Sequence, residues 1–212
     1  MGEENLELKK KLILQSFLPL FILILIKYFD YRAIVSAIHF IQHLSKGEFA
    51  IILNIWGHPF VLLFVVIVVS IIWIFSGLIA IWQFKNVQTS GFVDAGEKID
   101  IDEELTDSGI TFFVSFVLPL LIDDIGSIQG FLVFSGILGL VILLMWKTNL
   151  YYQNPVLTIL GYKVYKFHFI NPSRNGCKEK KYIAVCKSKL VKEKIVEWKY
   201  ISDNVCVMYN KN

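Results

Sequence analysis

The sequence predicts an α-helical membrane protein with four transmembrane helices, both termini in the cytosol, and a small C-terminal cytosolic antiparallel β domain. Three observations carry that prediction. Long apolar runs fill the first two thirds of the chain, and 13 of its 21 Lys and Arg crowd into residues 147–212. That last third also alternates strand formers with turn residues.

The runs are Leu12–Tyr28, Phe60–Trp82, Gly109–Ile122 and Ile128–Trp146. Three reach or approach the ~20 apolar residues that cross ~30 Å of hydrocarbon. The third has only 14 residues, or ~21 Å at ~1.5 Å per residue. To cross, it must recruit Leu105–Ser108 or thin the bilayer. Orientation follows from charge, because Lys and Arg near span ends resist translocation. Residues 147–212 carry 13 cations against four acids, whereas the loop 29–59 carries only Arg32 and Lys46. The C-terminus is therefore expected inside, and four spans put the N-terminus inside too, in agreement with Lys9, Lys10 and Lys11. Trp82, Trp146, Tyr151 and Tyr152 would mark the inner interface, and Tyr28 and Trp56 the outer one. A cleavable signal is disfavoured because Lys27, Asp30 and Arg32 separate the first apolar core from the small-residue site Val35-Ser36-Ala37.

These boundaries make residues 1–150 a four-helix transmembrane domain, with an outer amphipathic loop at 29–59 and an acidic cytosolic loop at 83–109. Residues 151–212 form the basic β domain. Residues 1–11 read as a frayed, charged helix start. In the outer loop Ala33, Ile34, Ala37, Ile38, Ile41 and Leu44 recur at helical spacing, predicting an amphipathic helix over 32–45. His39 and His43 share one face of it, with His58 further along; the spacing suits zinc or a pH sensor, yet no third ligand is fixed. The third and fourth spans form a hairpin through Asp123-Asp124-Ile125-Gly126-Ser127, and Pro119 interrupts the third helix. Gly126 and Gly130, and again Ser135 and Gly139, lie four apart, which lets a second helix approach closely, within or between subunits of a homo-oligomer.

The loop 83–109 carries seven acids against two lysines. Asp100, Asp102, Glu103 and Glu104 are its densest cluster, but the glycine turn of a calcium loop is missing. In the tail, Asn154-Pro155 stops a helix. Val164, Tyr165, Phe167 and Phe169 mark a first strand, followed by strands at Tyr182–Cys186, Ile195–Ile201 and Val205–Tyr209, with turns near Ser188 and Ser202-Asp203-Asn204. Leu190–Trp198 reads equally as a helix. Lys187, Lys189, Lys192 and Lys194 head a basic surface on the same side of the membrane as the acidic loop. The two can bind each other, or together form a docking surface for a cytosolic partner.

Anionic lipid headgroups would also satisfy the lysines. Direct nucleic-acid binding is disfavoured, because only Arg174 accompanies the tail aromatics Tyr182, Trp198 and Tyr200. The three cysteines, Cys177, Cys186 and Cys206, form no C-x-x-C pair, so a zinc site with His168 has little support, and no disulfide is expected in a reducing compartment. No triad, phosphate loop or HExxH string occurs, so no enzyme, metal or cofactor is expected. Two function classes remain. One is a membrane anchor that recruits a soluble partner; the other is a pore that depolarises the cell, weakened by the lack of ionisable residues inside the second and fourth spans.

The residues also carry a resemblance. Four spans, the Pro119-Leu120-Leu121 ending of a short third span, and Asn154-Pro155-Val156-Leu157 running into Leu160-Gly161-Tyr162-Lys163-Val164-Tyr165 and a β tail resemble KwaA, the membrane subunit of the Kiwa anti-phage defence system. The resemblance implies an oligomeric sensor and anchor that works with KwaB, a cytosolic DNA-binding effector. Nucleic acid would then be engaged only through the partner.

Overall fold

The computed structural model describes residues 5–29, 35, 59–89, 94–122, 125, 127–170, 180–192, 195–202 and 204–210. The expected helix over 32–45, apart from Val35, and His39, His43, Trp56, His58, Asp123, Asp124, Gly126, Arg174, Cys177 and Lys194 lie outside them.

The first apolar run becomes two helices, α1 (Leu6–Ser16) and α2 (Leu18–Tyr28), joined at Phe17. Pro19 in the first turn of α2 explains the joint, since it removes one N–H and crowds the turn before it. Carbonyls around the joint take side-chain donors instead. Trp73 Nε1 donates to Leu14 O at 3.0 Å, and Asn154 Nδ2 and Ser16 Oγ donate to Leu12 O at 3.2 and 2.7 Å. The start of α1 is not frayed. Asn5 Oδ1 accepts from Leu8 N–H at 3.1 Å, and Asn5 N–H donates to Ile201 O at 3.0 Å.

Helix α3 (Pro59–Thr89) is the second span. The third run is a broken rod: α4 (Ser108–Phe112), a π-helical turn (Phe113–Val117) and α5 (Leu118–Ile122). Pro119 cannot donate, and the wide turn before it lets Leu118 N–H reach back to Phe113 O. Helix α6 (Ile128–Thr148) ends at Asn149, whose φ of 57° is the left-handed conformation that closes helices. A 3₁₀ turn (Leu150–Gln153) follows, and Asn154-Pro155 then starts the short helix α7 (Pro155–Ile159), with Asn154 Oδ1 accepting from Val156 N–H at 2.8 Å.

Among the described residues three helical stretches, not four, are long and apolar enough to cross a bilayer: Leu6–Tyr28 (α1 and α2 together), Leu62–Asn86 and Ile128–Thr148. The segment Ser108–Leu120 is a shorter apolar helix. The third run differs from the other three in length, because ~20 Å of helix is shorter than ~30 Å of hydrocarbon. The segment still runs the length of its neighbours. Leu105 N–H donates to Val164 O in the β domain at 2.7 Å, while at the far end Ile125 N–H donates to Tyr28 Oη at 2.9 Å.

The β domain is a closed five-stranded barrel in the order β1-β2-β3-β5-β4, small enough to be filled by its own side chains. Its strands are β1 (Asp94–Glu104), β2 (Lys163–Ile170), β3 (Tyr182–Cys186), β4 (Ile195–Ser202) and β5 (Val205–Asn210). Two expectations change. The acidic stretch is not a loop but a strand, paired with both β2 and β4, so the barrel draws on residues before and after the helical hairpin. The sheet is also mixed, because β3 and β5 run parallel. Residues 195–198 are strand, which decides the ambiguity over Leu190–Trp198.

Alternation along each strand sends Ile99, Tyr165, Phe167, Phe169, Tyr182 and Trp198 into the barrel. Phe169 stands 5.0 Å from Trp198 and 5.3 Å from Tyr182, ring centre to ring centre. Cys186 and Cys206 are buried in the same interior as free thiols, and burial pushes both thiols up, far from a reactive thiolate.

Candidate functional site

Two outer surfaces of the barrel have opposite characters. Val185 of β3, Ile201 of β4, and Val205 and Val207 of β5 are buried in one continuous core with the helices, together with Tyr162 and Phe84. This face is the seat on which the barrel joins the bundle. Phe84 near the end of α3 meets Tyr162 edge-on at 5.6 Å. Tyr151 is fully buried and its hydroxyl bonds Ser202 Oγ at 2.7 Å. Lys9, only 4% exposed, lies with its ammonium 5.1 Å from the Trp146 ring and 5.8 Å from the Tyr151 ring, where an aromatic face stabilises a cation. The sequence reading took Lys9 as a topology signal ahead of the first span and Tyr151 as a marker of the inner membrane interface. Both instead bind the barrel to the helices, because the barrel covers the end of the bundle where they emerge.

Strands β1 and β2 carry a ladder of charges that ends, at Lys163 and Glu104, on the rim of the barrel next to the bundle. Lys192 Nζ lies 2.9 Å from Asp100 Oδ1, His168 Nδ1 3.1 Å from Asp102 Oδ1, Lys166 Nζ 2.8 Å from Glu103 Oε2, and Lys163 Nζ 2.5 Å from Glu104 Oε1. A bulge between Ile101 and Glu103 makes this possible. Strict alternation would turn Glu103 inward after Ile99 and Ile101; one extra residue keeps Asp102 and Glu103 both outside. The Lys192 hydrogen bond holds the Asp100 carboxyl below the usual carboxylate range, against a smaller opposing effect of burial. Glu104 and Glu103, by accepting hydrogen bonds, raise the Lys163 and Lys166 ammonium groups above theirs.

The residues expected to form a docking surface thus divide. Asp100, Asp102, Glu103 and Glu104 are matched within the chain, and so is Lys192. Lys187 and Lys189 are exposed on the connection between β3 and β4, as are Lys180 and Lys181 before β3. Of the expected helix-packing residues, Ser135 and Gly139 are exposed and Gly130 is half-buried, and a Cβ on Gly136 or Gly139 would meet no described atom within 4 Å. Among the described residues no helix packs against Gly136 or Gly139.

Inside the bundle the buried polar side chains are few. Ser16 and Ser70 bond carbonyls of their own helices, Leu12 O and Val66 O, both at 2.7 Å. Gln15 is fully buried, without a partner for its amide among the described residues. No group of three or more His, Cys, Asp or Glu able to hold a metal occurs among the described residues.

A family model described as the anti-phage protein KwaA matches residues 8–207. The chain belongs to the KwaA family. The match covers the bundle and the barrel together, so both are parts of the KwaA unit and its role lies in anti-phage defence. No curated protein and no solved structure matches the chain.

Proposed function

We propose that this protein is the membrane-embedded sensor and anchor of an anti-phage defence complex. Its barrel recruits a cytosolic DNA-binding effector, KwaB-like, to the inner membrane, and the chain works as a homo-oligomer with both termini in the cytosol. The observation that carries the reading is the seat of the barrel on the helices. Lys9, Trp146, Tyr151 and Ser202 join α1, α6 and the barrel into one core, so a displacement of the helices has a packed route to the soluble face.

The exposed Lys180, Lys181, Lys187 and Lys189 supply the recognition charge, toward an acidic partner surface and toward anionic headgroups. Nucleic acid is engaged only through the effector. The test is co-purification of the effector with Lys187→Glu/Lys189→Glu. Loss of the partner with an unchanged membrane fraction supports the reading, and undiminished recovery overturns it. The same cells carry a second check. An anchor leaves the membrane potential intact on induction, whereas depolarisation seen with a potential-sensitive dye would favour a pore.

A further inference from the structure

Helices α4 and α7 touch so closely that a Cβ at Gly109 would overlap the Thr158 hydroxyl. Beside that contact lies a groove of about 240 Å³ lined by Pro19, Ile110, Phe113, Pro155, Thr158 and Ile159. Apart from Thr158 its side chains are apolar, and Ile110 and Ile159 are 59% and 77% exposed. Pockets that enclose a whole drug-sized molecule run to ~300–1,000 Å³. This groove suits part of a longer chain whose remainder stays in the bilayer.

Thr158 also lines a second pocket of about 250 Å³, on the barrel side, with Glu104, Thr106, Ser108, Tyr162 and Lys163. The hydroxyls of Thr106, Ser108 and Thr158 stand there with one ammonium and one carboxylate. Lys163 and Glu104 bond each other, yet their side chains are 46% and 30% exposed, within reach of a ligand. An apolar groove and a polar pocket whose two charges cancel therefore adjoin, with Thr158 in the lining of both. The groove opens at the near end of a short apolar helix, where the bundle gives way to the barrel.

We propose that the two pockets together hold one phospholipid of the barrel-side leaflet. An acyl chain fills the groove, the headgroup phosphate binds Lys163 with the neighbouring hydroxyls, and a headgroup ammonium binds Glu104. A zwitterionic aminophospholipid matches the paired charges. An anionic lipid would leave Glu104 facing a negative headgroup. The inference rests on membrane embedding and not on the recruitment of an effector.

The test uses the full chain reconstituted in vesicles of phosphatidylethanolamine and phosphatidylglycerol, with a photoactivatable diazirine on the acyl chain of one lipid or the other. Cross-linked residues are mapped by mass spectrometry. The phosphatidylethanolamine probe should label residues 109–113 and 155–159 several-fold above the outward α6 residues Leu140, Leu143 and Leu144, and above the phosphatidylglycerol probe. Glu104→Gln should bring the two probes to equal labelling, and Thr158→Trp should abolish the excess in the groove. Labelling of the groove no greater than that of α6, or greater with phosphatidylglycerol, overturns the proposal. The unsubstituted protein alone decides between these outcomes, so a variant that fails to fold does not blunt the test.

Discussion

The two outer faces of the barrel come from the same strand pattern and are held in place by different forces. On the seat, Val185, Ile201, Val205 and Val207 are each no more than 1% exposed, and the stabilisation is apolar burial at about 25 cal/mol per Å². On the ladder, Lys163, Lys166, Lys192 and His168 meet four carboxylates in contact with solvent. The seat should therefore fail by single substitutions and tolerate salt, while the ladder should do the reverse. The difference also separates roles: the seat fixes where the barrel is, and the ladder holds β1 to β2 across a long insertion.

The largest expected effect is Val207→Asp. A carboxylate placed in the dry seat has no partner, and an uncompensated buried charge costs at least several kcal/mol. The barrel should detach or unfold, seen as rapid proteolysis after residue 150 while the bundle stays in the membrane fraction. An intact barrel at the original melting temperature would mean that the seat is not the joint.

Tyr151→Phe is milder. It removes the 2.7 Å bond to Ser202 and leaves a hydroxyl buried, worth about 1–3 kcal/mol. A lower melting temperature in detergent is expected, with the Ser202→Ala/Tyr151→Phe pair less destabilised than the sum of the single changes. Lys9→Met keeps the packing of the stem but loses the attraction to the Trp146 and Tyr151 rings, about 0.5–2 kcal/mol. If Lys9 is only a topology signal, its melting temperature will not move.

Much of this contrast was legible in the residues. Strands β2 to β5 were visible because Tyr165-Lys166-Phe167-His168-Phe169 alternates strictly and turn residues bound each later strand. Strand β1 was hidden. Only Ile99 and Ile101 mark its inner face, the bulge then breaks the period, and its partner β2 lies beyond helices α4 to α7, where no local pattern points. The signal that could have found it is Ile99-Asp100-Ile101-Asp102, four residues of perfect alternation read as a solvated loop because the acids dominated. Likewise Lys9, Tyr151 and Asn154 carry no mark of burial in their neighbours. Their role depends on which end of the bundle the barrel covers, a tertiary fact. The mutual pairing of acidic and basic segments followed from charge alone, since opposite charges on one side of a short chain seek each other. What charge could not fix was which partners meet, and the path of the β3–β4 connection is what brings Lys192 to Asp100.

The smallest expected effect belongs to the ladder, and pH is the sharper probe of it. Asp100 titrates below its ordinary value in the folded barrel, so its contribution is present above the unfolded carboxylate range and disappears as pH falls through the lowered value. Lys163 and Lys166 titrate above theirs, so their contribution is present below the ordinary lysine range and disappears as pH rises through the raised values. Barrel stability should then be level from about pH 5 to about pH 9 and decline on both sides. Glu104→Gln should remove part of the alkaline decline with little change at neutral pH, because exposed pairs contribute little there. Salt should flatten what remains, since solvent-facing charges are screened over about 8–10 Å at physiological strength. Val207→Asp cells offer the counterpart, as their defect should ignore salt. A neutral-pH collapse of Glu104→Gln comparable to that of Val207→Asp would break the division between the two faces, and would mean that the ladder, not the seat, holds the barrel closed.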